Sequence, residues 1–363
     1  MQENVERLPR VAVVHGDTNG IGYELIFKTF SQPEMLELCT PIVYGSPKVA
    51  AYHRKALNMQ ANFSIIAKAE DAQEGRVNLL TTFDEEIKIE IGTPTPESAM
   101  AAQKALSRAL DDYGRGLFDT LVVAPMGGNV TPPLEKLLAG LAVKDAQPFP
   151  IMMNETVRVA LLTNNIALKD VPEMITTDNI AKKTKQLRQT LKRDFRIENP
   201  RIAVLALNYD NNGQEEKQAI VPAIEACRNE GTNVFGPYSA EDLFNSGDYS
   251  AFDVVLAMHH EQGLLPLLTL SQEDSIKTFA GLTAVCTTTV DDNAFEEAGR
   301  GTADEGAFRH AVYAAIDLSR NHSVYDAAHV NPLPKLYHEK KEDGEKARFN
   351  IPKKHEQKPA AQQ

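Results

Sequence analysis

The side chains best suited to chemistry fall in three places. His259 and His260 stand in succession ahead of Glu261, and imidazole beside carboxylate is a donor set that divalent metals use. Consecutive side chains on an extended segment point to opposite faces, so at most one of these histidines enters a cleft. Cys286, in an apolar Thr-Ala-Val-Cys-Thr run, is a conceivable nucleophile. No histidine lies close to it in sequence and no catalytic cysteine motif surrounds it, which favours a buried structural thiol. Residues 15–24, His-Gly-Asp-Thr-Asn-Gly-Ile-Gly-Tyr-Glu, form a glycine-rich loop without G-x-G-x-x-G spacing. A tight turn and close packing explain its glycines as well as a ligand would.

Positioning such groups takes regular elements. Short β-branched runs at 11–14, 41–44, 121–124, 157–162, 202–207 and 254–258 have strand length, and each is followed by turn residues. Between them lie helical stretches. Ile180, Leu187, Leu191 and Phe195 recur with helical spacing, with Thr177 or Asp178 as the expected N-cap and an end before Pro200. A second helix is expected over 97–113, with Leu106, Ala109, Leu110 and Tyr113 on one face. This alternation predicts α/β architecture, mostly parallel sheet covered by helices on both faces.

The chain has 363 residues, 42% hydrophobic and 24% charged, enough for two packed α/β domains and a sizeable core. Its 38 basic and 50 acidic residues give a formal charge of -12, which argues against general affinity for nucleic acid or anionic membranes. Three widely spaced cysteines, Cys39, Cys227 and Cys286, suggest neither a disulfide framework nor a zinc motif. A charged N-terminus and the lack of any apolar run near ~20 residues point to a cytoplasmic protein. From His338 onward the composition turns to Lys, Glu, Gln, Pro and Ala, so 338–363 is expected to be a mobile charged tail.

The glycine-rich loop, read with Ala124-Pro125, Arg158-Val159-Ala160-Leu161-Leu162-Thr163, Pro200-Arg201-Ile202-Ala203-Val204-Leu205, Ala257-Met258-His259-His260-Glu261-Gln262-Gly263 and Ala298-Gly299-Arg300-Gly301, resembles one family. The order and spacing are similar to the 4-hydroxythreonine-4-phosphate dehydrogenases of pyridoxal phosphate biosynthesis, from about residue 11 to about 331. The resemblance implies a homodimer of the isocitrate/isopropylmalate dehydrogenase type, with two α/β/α domains and a cleft between them, completed by the partner subunit. The first domain would comprise 1–125 and 281–330; the second, 126–280, would carry dimer contacts. It further implies NAD as hydride acceptor and a divalent metal, held by three histidines, that polarises the substrate oxygen before decarboxylation.

At the implied metal positions this chain departs from the family. Asn165 stands in place of the first histidine and Asp210 in place of the second, leaving His260 as the one retained. Replacing two imidazoles should lower metal affinity by more than the ~10- to 100-fold typical of a lost supporting partner. Asp210 with Glu261, or with Asp291 and Asp292, offers oxygen ligands suited to Mg2+, Mn2+ or Ca2+.

Phosphate and cofactor positions change as well. The family's Gly-His-Thr-Glu stretch has no counterpart between Pro125 and Met152, and Gly128 replaces a lysine. Leu268 stands for a second lysine, Cys286 for an arginine and Lys277 for an asparagine, so Lys277 is the one positive charge gained. Neither Leu268 nor Cys286 can make a charge-assisted hydrogen bond to phosphate. Asp291, Asp292 and Asn293 occupy the loop that would lie along the adenosine part of NAD, where two carboxylates oppose a diphosphate. The chain is therefore expected to have lost the parent reaction and to act as a ligand-binding protein or as the partner of an active relative. The alternative is an NAD-dependent oxidoreductase whose remodelled site takes another hydroxylated small molecule.

Overall fold

The computed structural model describes residues 7–127, 131–271, 273–290 and 294–331. Its strands are β1 (Arg10–Val14), β2 (Thr40–Gly45), β3 (Ser64–Ile66), β4 (Asn78–Thr81), β5 (Thr120–Val123), β6 (Phe149–Met153), β7 (Arg158–Leu161), β8 (Arg201–Leu205), β9 (Asn233–Tyr238), β10 (Val254–Ala257), β11 (Ile276–Ala280) and β12 (Cys286–Thr289). They form one sheet in the order β3-β4-β2-β1-β5-β12-β11-β6-β7-β10-β8-β9. Parallel pairing holds throughout except at the centre, where β11 runs antiparallel to β12 and β6, and β6 antiparallel to β7. The two parallel halves consequently point in opposite directions, joined through β6 and β11.

The six β-branched runs form β1, β2, β5, β7, β8 and β10, each almost wholly buried, as strands covered on both faces require. β6 and β12 are harder to read. Pro150 removes a ladder donor from a central strand, and β12 is Cys-Thr-Thr-Thr. The threonines are buried because their hydroxyls find carbonyls: Thr287 Oγ1 donates to Ala311 O (2.8 Å) and, from β11, Thr278 Oγ1 donates to Cys286 O (3.1 Å).

The expected helices span Pro96–Gly114 and Thr177–Arg193. The second is capped one residue earlier than the sequence suggested. Thr176, not Thr177 or Asp178, is extended and accepts from Asn179 N, leaving Asp178 in the first turn where it favours the helix dipole. Phe195 lies just past the helix and packs against the same core.

Alternation along the strands separates the faces. On one, the Gly306–His329 helix packs across β5, β11 and β12, and the Thr177–Arg193 helix covers the other half. Arg193 Nε donates to Asp326 Oδ1 (2.8 Å), and Asp194 Oδ1 pairs with His322 Nδ1 (2.7 Å), locking the helices together. On each face the cores of the two halves form separate clusters, and on the opposite face a cleft opens over the antiparallel centre.

Candidate functional site

The cleft floor follows from register. Lys277 on β11 is the direct partner of Met152 on β6 and of Thr288 on β12, while Phe279 pairs with Pro150. With period two, Pro150, Met152, Lys277, Phe279 and Thr288 share one face, and all five line a cavity of about 260 Å³. Its walls come from the turn after β5 (Ala124, Met126, Gly127), the Leu134–Leu137 helix, the turn after β7 (Asn164, Asn165) and the start of the His260–Leu270 helix.

The glycine-rich loop supports this site from below. Asp17 N donates to Pro125 O (3.0 Å), and the Asp17 carboxylate accepts from Asn19 N (2.8 Å) and Ser98 Oγ (2.9 Å). Gly16 has φ +74°, and a Cβ there would sit 2.3 Å from Pro125 O; one at Gly22 would sit 1.9 Å from His15 O. The glycines serve close backbone packing, which fixes the turn carrying Ala124 and Met126.

Two further ties bring Asn164, Asn165 and His260 together. Thr163 Oγ1 donates to Met258 O (2.7 Å). Gln262 accepts from Met258 N (2.8 Å) and donates to Ala206 O (2.6 Å), while Gly263 lets the helix approach β7, where a Cβ would meet Val159 at 2.6 Å. His260 opens the helix and lines the cleft. His259, the extended residue before it, does not line it; its Nδ1 stands 3.5 Å from Glu261 Oε2. The separation of the two imidazoles arises from the helix start rather than from a continuous extended segment.

Asn165, Lys277 and His260 thus share one cleft, whereas three other residues expected there lie elsewhere. Asp210 is exposed, on a turn closed upon itself, with its Oδ1 at 3.3 Å from Asn212 N. Glu216 anchors that turn, accepting from Leu207 N (2.8 Å), Asn208 N (2.9 Å) and Asn208 Nδ2 (2.8 Å). Burial works against the Glu216 charge, and these hydrogen bonds outweigh it, holding the carboxyl below its ordinary range. Leu268 packs into the core beside β7 and β10, and Leu264, one turn earlier, faces the cleft instead. Cys286 is fully buried beneath Leu121 and Phe279, and burial drives its thiol far above the ordinary range, as for an inert core thiol. Asp291, Asp292 and Asn293, with Gly128 and the 338–363 tail, lie outside the described residues.

The sequence reading missed the residue that organises the cleft. Glu135 Oε1 accepts from Asn164 Nδ2 (3.0 Å) and from Asn165 Nδ2 (3.1 Å). Behind it, Lys183 Nζ donates to Leu161 O (2.9 Å) and lies 4.4 Å from the centroid of the Phe149 ring. Burial pushes the Lys183 ammonium down to about 8, against the pull of the Glu135 carboxylate. Neither residue belongs to a sequence motif, and only contacts across 22 to 30 residues expose the group.

These residues do not fit the three-histidine metal site. Within one subunit Asn165 turns its amide nitrogen toward a carboxylate, Asp210 lies outside the cavity, and His260 stands without the other two donors. Among the described residues no group of three His, Cys, Asp or Glu side chains is placed to hold a metal ion. Nor is any helix among them long and apolar enough to cross a membrane.

Comparison with known proteins places the chain. Residues 37–315 match the family model described as pyridoxal phosphate biosynthetic protein PdxA. A 4-hydroxythreonine-4-phosphate dehydrogenase of Bacteroides thetaiotaomicron is 43% identical over 353 residues, covering 94% of this chain and 97% of its own. One from Prosthecochloris aestuarii is 32% identical, covering 84% and 96%. The crystal structure of a Burkholderia phymatum 4-hydroxythreonine-4-phosphate dehydrogenase superposes with TM-score 0.69 at 25% identity, over 86% of this chain and 99% of that one. The mostly parallel α/β sheet built around a central cleft is the fold they share, and the chain belongs to the PdxA family of 4-hydroxythreonine-4-phosphate dehydrogenases.

Proposed function

We propose that this chain is a divergent family member that has lost the parent reaction and uses its cleft to bind a small molecule without turning it over, as a cytoplasmic homodimer or beside an active relative. The domain division at 1–125 with 281–330 and at 126–280 belongs to the same reading. One observation carries it: the Asn165 amide, where the resemblance implies a metal histidine, is spent on Glu135 at 3.1 Å. An amide can reach a metal only through its oxygen, a weak substitute for the imidazole nitrogen that a transition metal takes from histidine. Without a fixed cation, alkoxide and enolate character at the substrate would have to develop without a Lewis acid.

The anionic part of the parent substrate fares no better. Among the described cleft residues Lys277 and His260 are the basic ones, and Glu135 opposes a dianion. The second reading, an NAD-dependent oxidoreductase acting on another hydroxylated molecule, has the 43% identity to the Bacteroides enzyme in its favour. Calorimetric titration separates the two. The first expects no saturable heat with Zn2+, Mn2+ or Mg2+, nor with NAD. Binding of both a metal and NAD, with NADH formed from some hydroxylated substrate, would establish the second.

A further inference from the structure

Resting on that reading, we propose that the cleft is a receptor for the primary ammonium group of a small, phosphate-free amine, an amino acid or amino alcohol, gripped by the Glu135 carboxylate. An ionised carboxylate only accepts, so Asn164 and Asn165 must each turn their NH2 toward Glu135 Oε1. Each amide oxygen then lies on the other side of its own plane, as an acceptor not spent on Glu135. Oε2 is engaged by neither amide.

Lys277 and His260 also line the cleft and are its basic donors, so it is the wall around Glu135 that is rich in acceptors. An ammonium group, with three N–H donors and no acceptor, is its complement. Two side-chain amides holding one carboxylate oxygen also fix the carboxylate before a ligand arrives, which lowers the ordering cost of binding.

The rest of the cavity sets the ligand's size and body. About 260 Å³ is below the ~300–1,000 Å³ of sites for drug-sized molecules, so the ligand is small. Met126, Leu134, Leu264 and Phe279 offer an apolar lining for a short carbon chain. A divalent cation would seek several fixed donors, and the described residues supply no group of three acidic, histidine or cysteine ligands. A phosphomonoester would meet Glu135 as a like charge.

The test is calorimetric titration of the full chain with 1-amino-2-propanol and L-threonine as probes, against 2-propanol, orthophosphate and Mn2+. The amines should bind saturably and the three controls should not. Glu135→Gln keeps an oxygen for both asparagines and removes the charge, so it should weaken amine binding roughly tenfold or more. Asn165→Ala, which leaves Glu135 charged but held by one amide, should weaken it by less. Unchanged thermal midpoints show that both variants fold. Absent amine binding, amine binding indifferent to Glu135→Gln, or tighter binding of phosphate or Mn2+ would each overturn the proposal. Failure of the amines with no NADH formed from 4-phosphohydroxythreonine removes only the ammonium site, whereas NADH formation removes the reading on which it rests.

Discussion

The two faces of the sheet are built differently where the halves of the molecule meet. On one face the Gly306–His329 helix crosses the join and is fastened to the Thr177–Arg193 helix by Arg193, Asp194, His322 and Asp326, most of them half-buried or buried. On the other face nothing comparable spans the join among the described residues, and the cleft opens over Lys277, Met152 and Thr288. The first face carries stability and the second is open to a ligand. Polar groups follow the division: at the join of the covered face they are paired helix to helix, and in the cleft Glu135, Asn164 and Asn165 are paired with one another along the cavity wall.

Acid should break the covered face first and most strongly. His15 follows Val14 at the end of β1, is fully buried against Tyr23, and has no hydrogen-bond partner at either ring nitrogen. Burial pushes its pKa down to about 3. The unfolded chain takes up this proton below about 6.5, whereas the native state resists until about pH 3. Stability is therefore full above pH 6.5 and declines toward pH 3, by up to about 5 kcal/mol from this residue. Chemical denaturation across that window should show the decline, and His15→Phe should flatten it.

A smaller loss is expected at the fastening. Asp194→Ala removes the partner of buried His322 and should cost about 2–4 kcal/mol in urea denaturation. Thr287→Val, which deletes the bond from β12 to the Ala311 carbonyl, should cost about 1–2 kcal/mol. On the cleft face Asn165→Ala should shift stability by no more than about 0.5 kcal/mol, because Glu135 keeps Asn164 and solvent access. A loss above 2 kcal/mol there would erase the contrast between the faces. The combined variant Asn165→His with Asp210→His should gain no turnover, since the Asp210 turn stays pinned by Glu216 outside the cleft.

Much of this fold was legible in the chain because parallel strands buried on both faces read as unbroken β-branched runs. What hid β6 and β12 was local chemistry that contradicts a strand, a proline in one and consecutive hydroxyls in the other. The proline costs a ladder donor and the hydroxyls are paid for by carbonyls visible only once the chain is folded. At the cleft, Asn165, His260 and Lys277, which the resemblance singles out, line one cavity. Glu135 escaped because its significance lies in two amides about thirty residues away. Asp210 was misplaced for a related reason: the Glu216 clamp that turns it outward leaves no mark in the sequence pattern.

The most direct test of the account is NADH formation by the purified full chain from 4-phosphohydroxythreonine and NAD, with Zn2+, Mn2+ or Mg2+ supplied. The account predicts no rate above that of buffer. Turnover within about tenfold of an ordinary enzyme, roughly 10 per second, would contradict it.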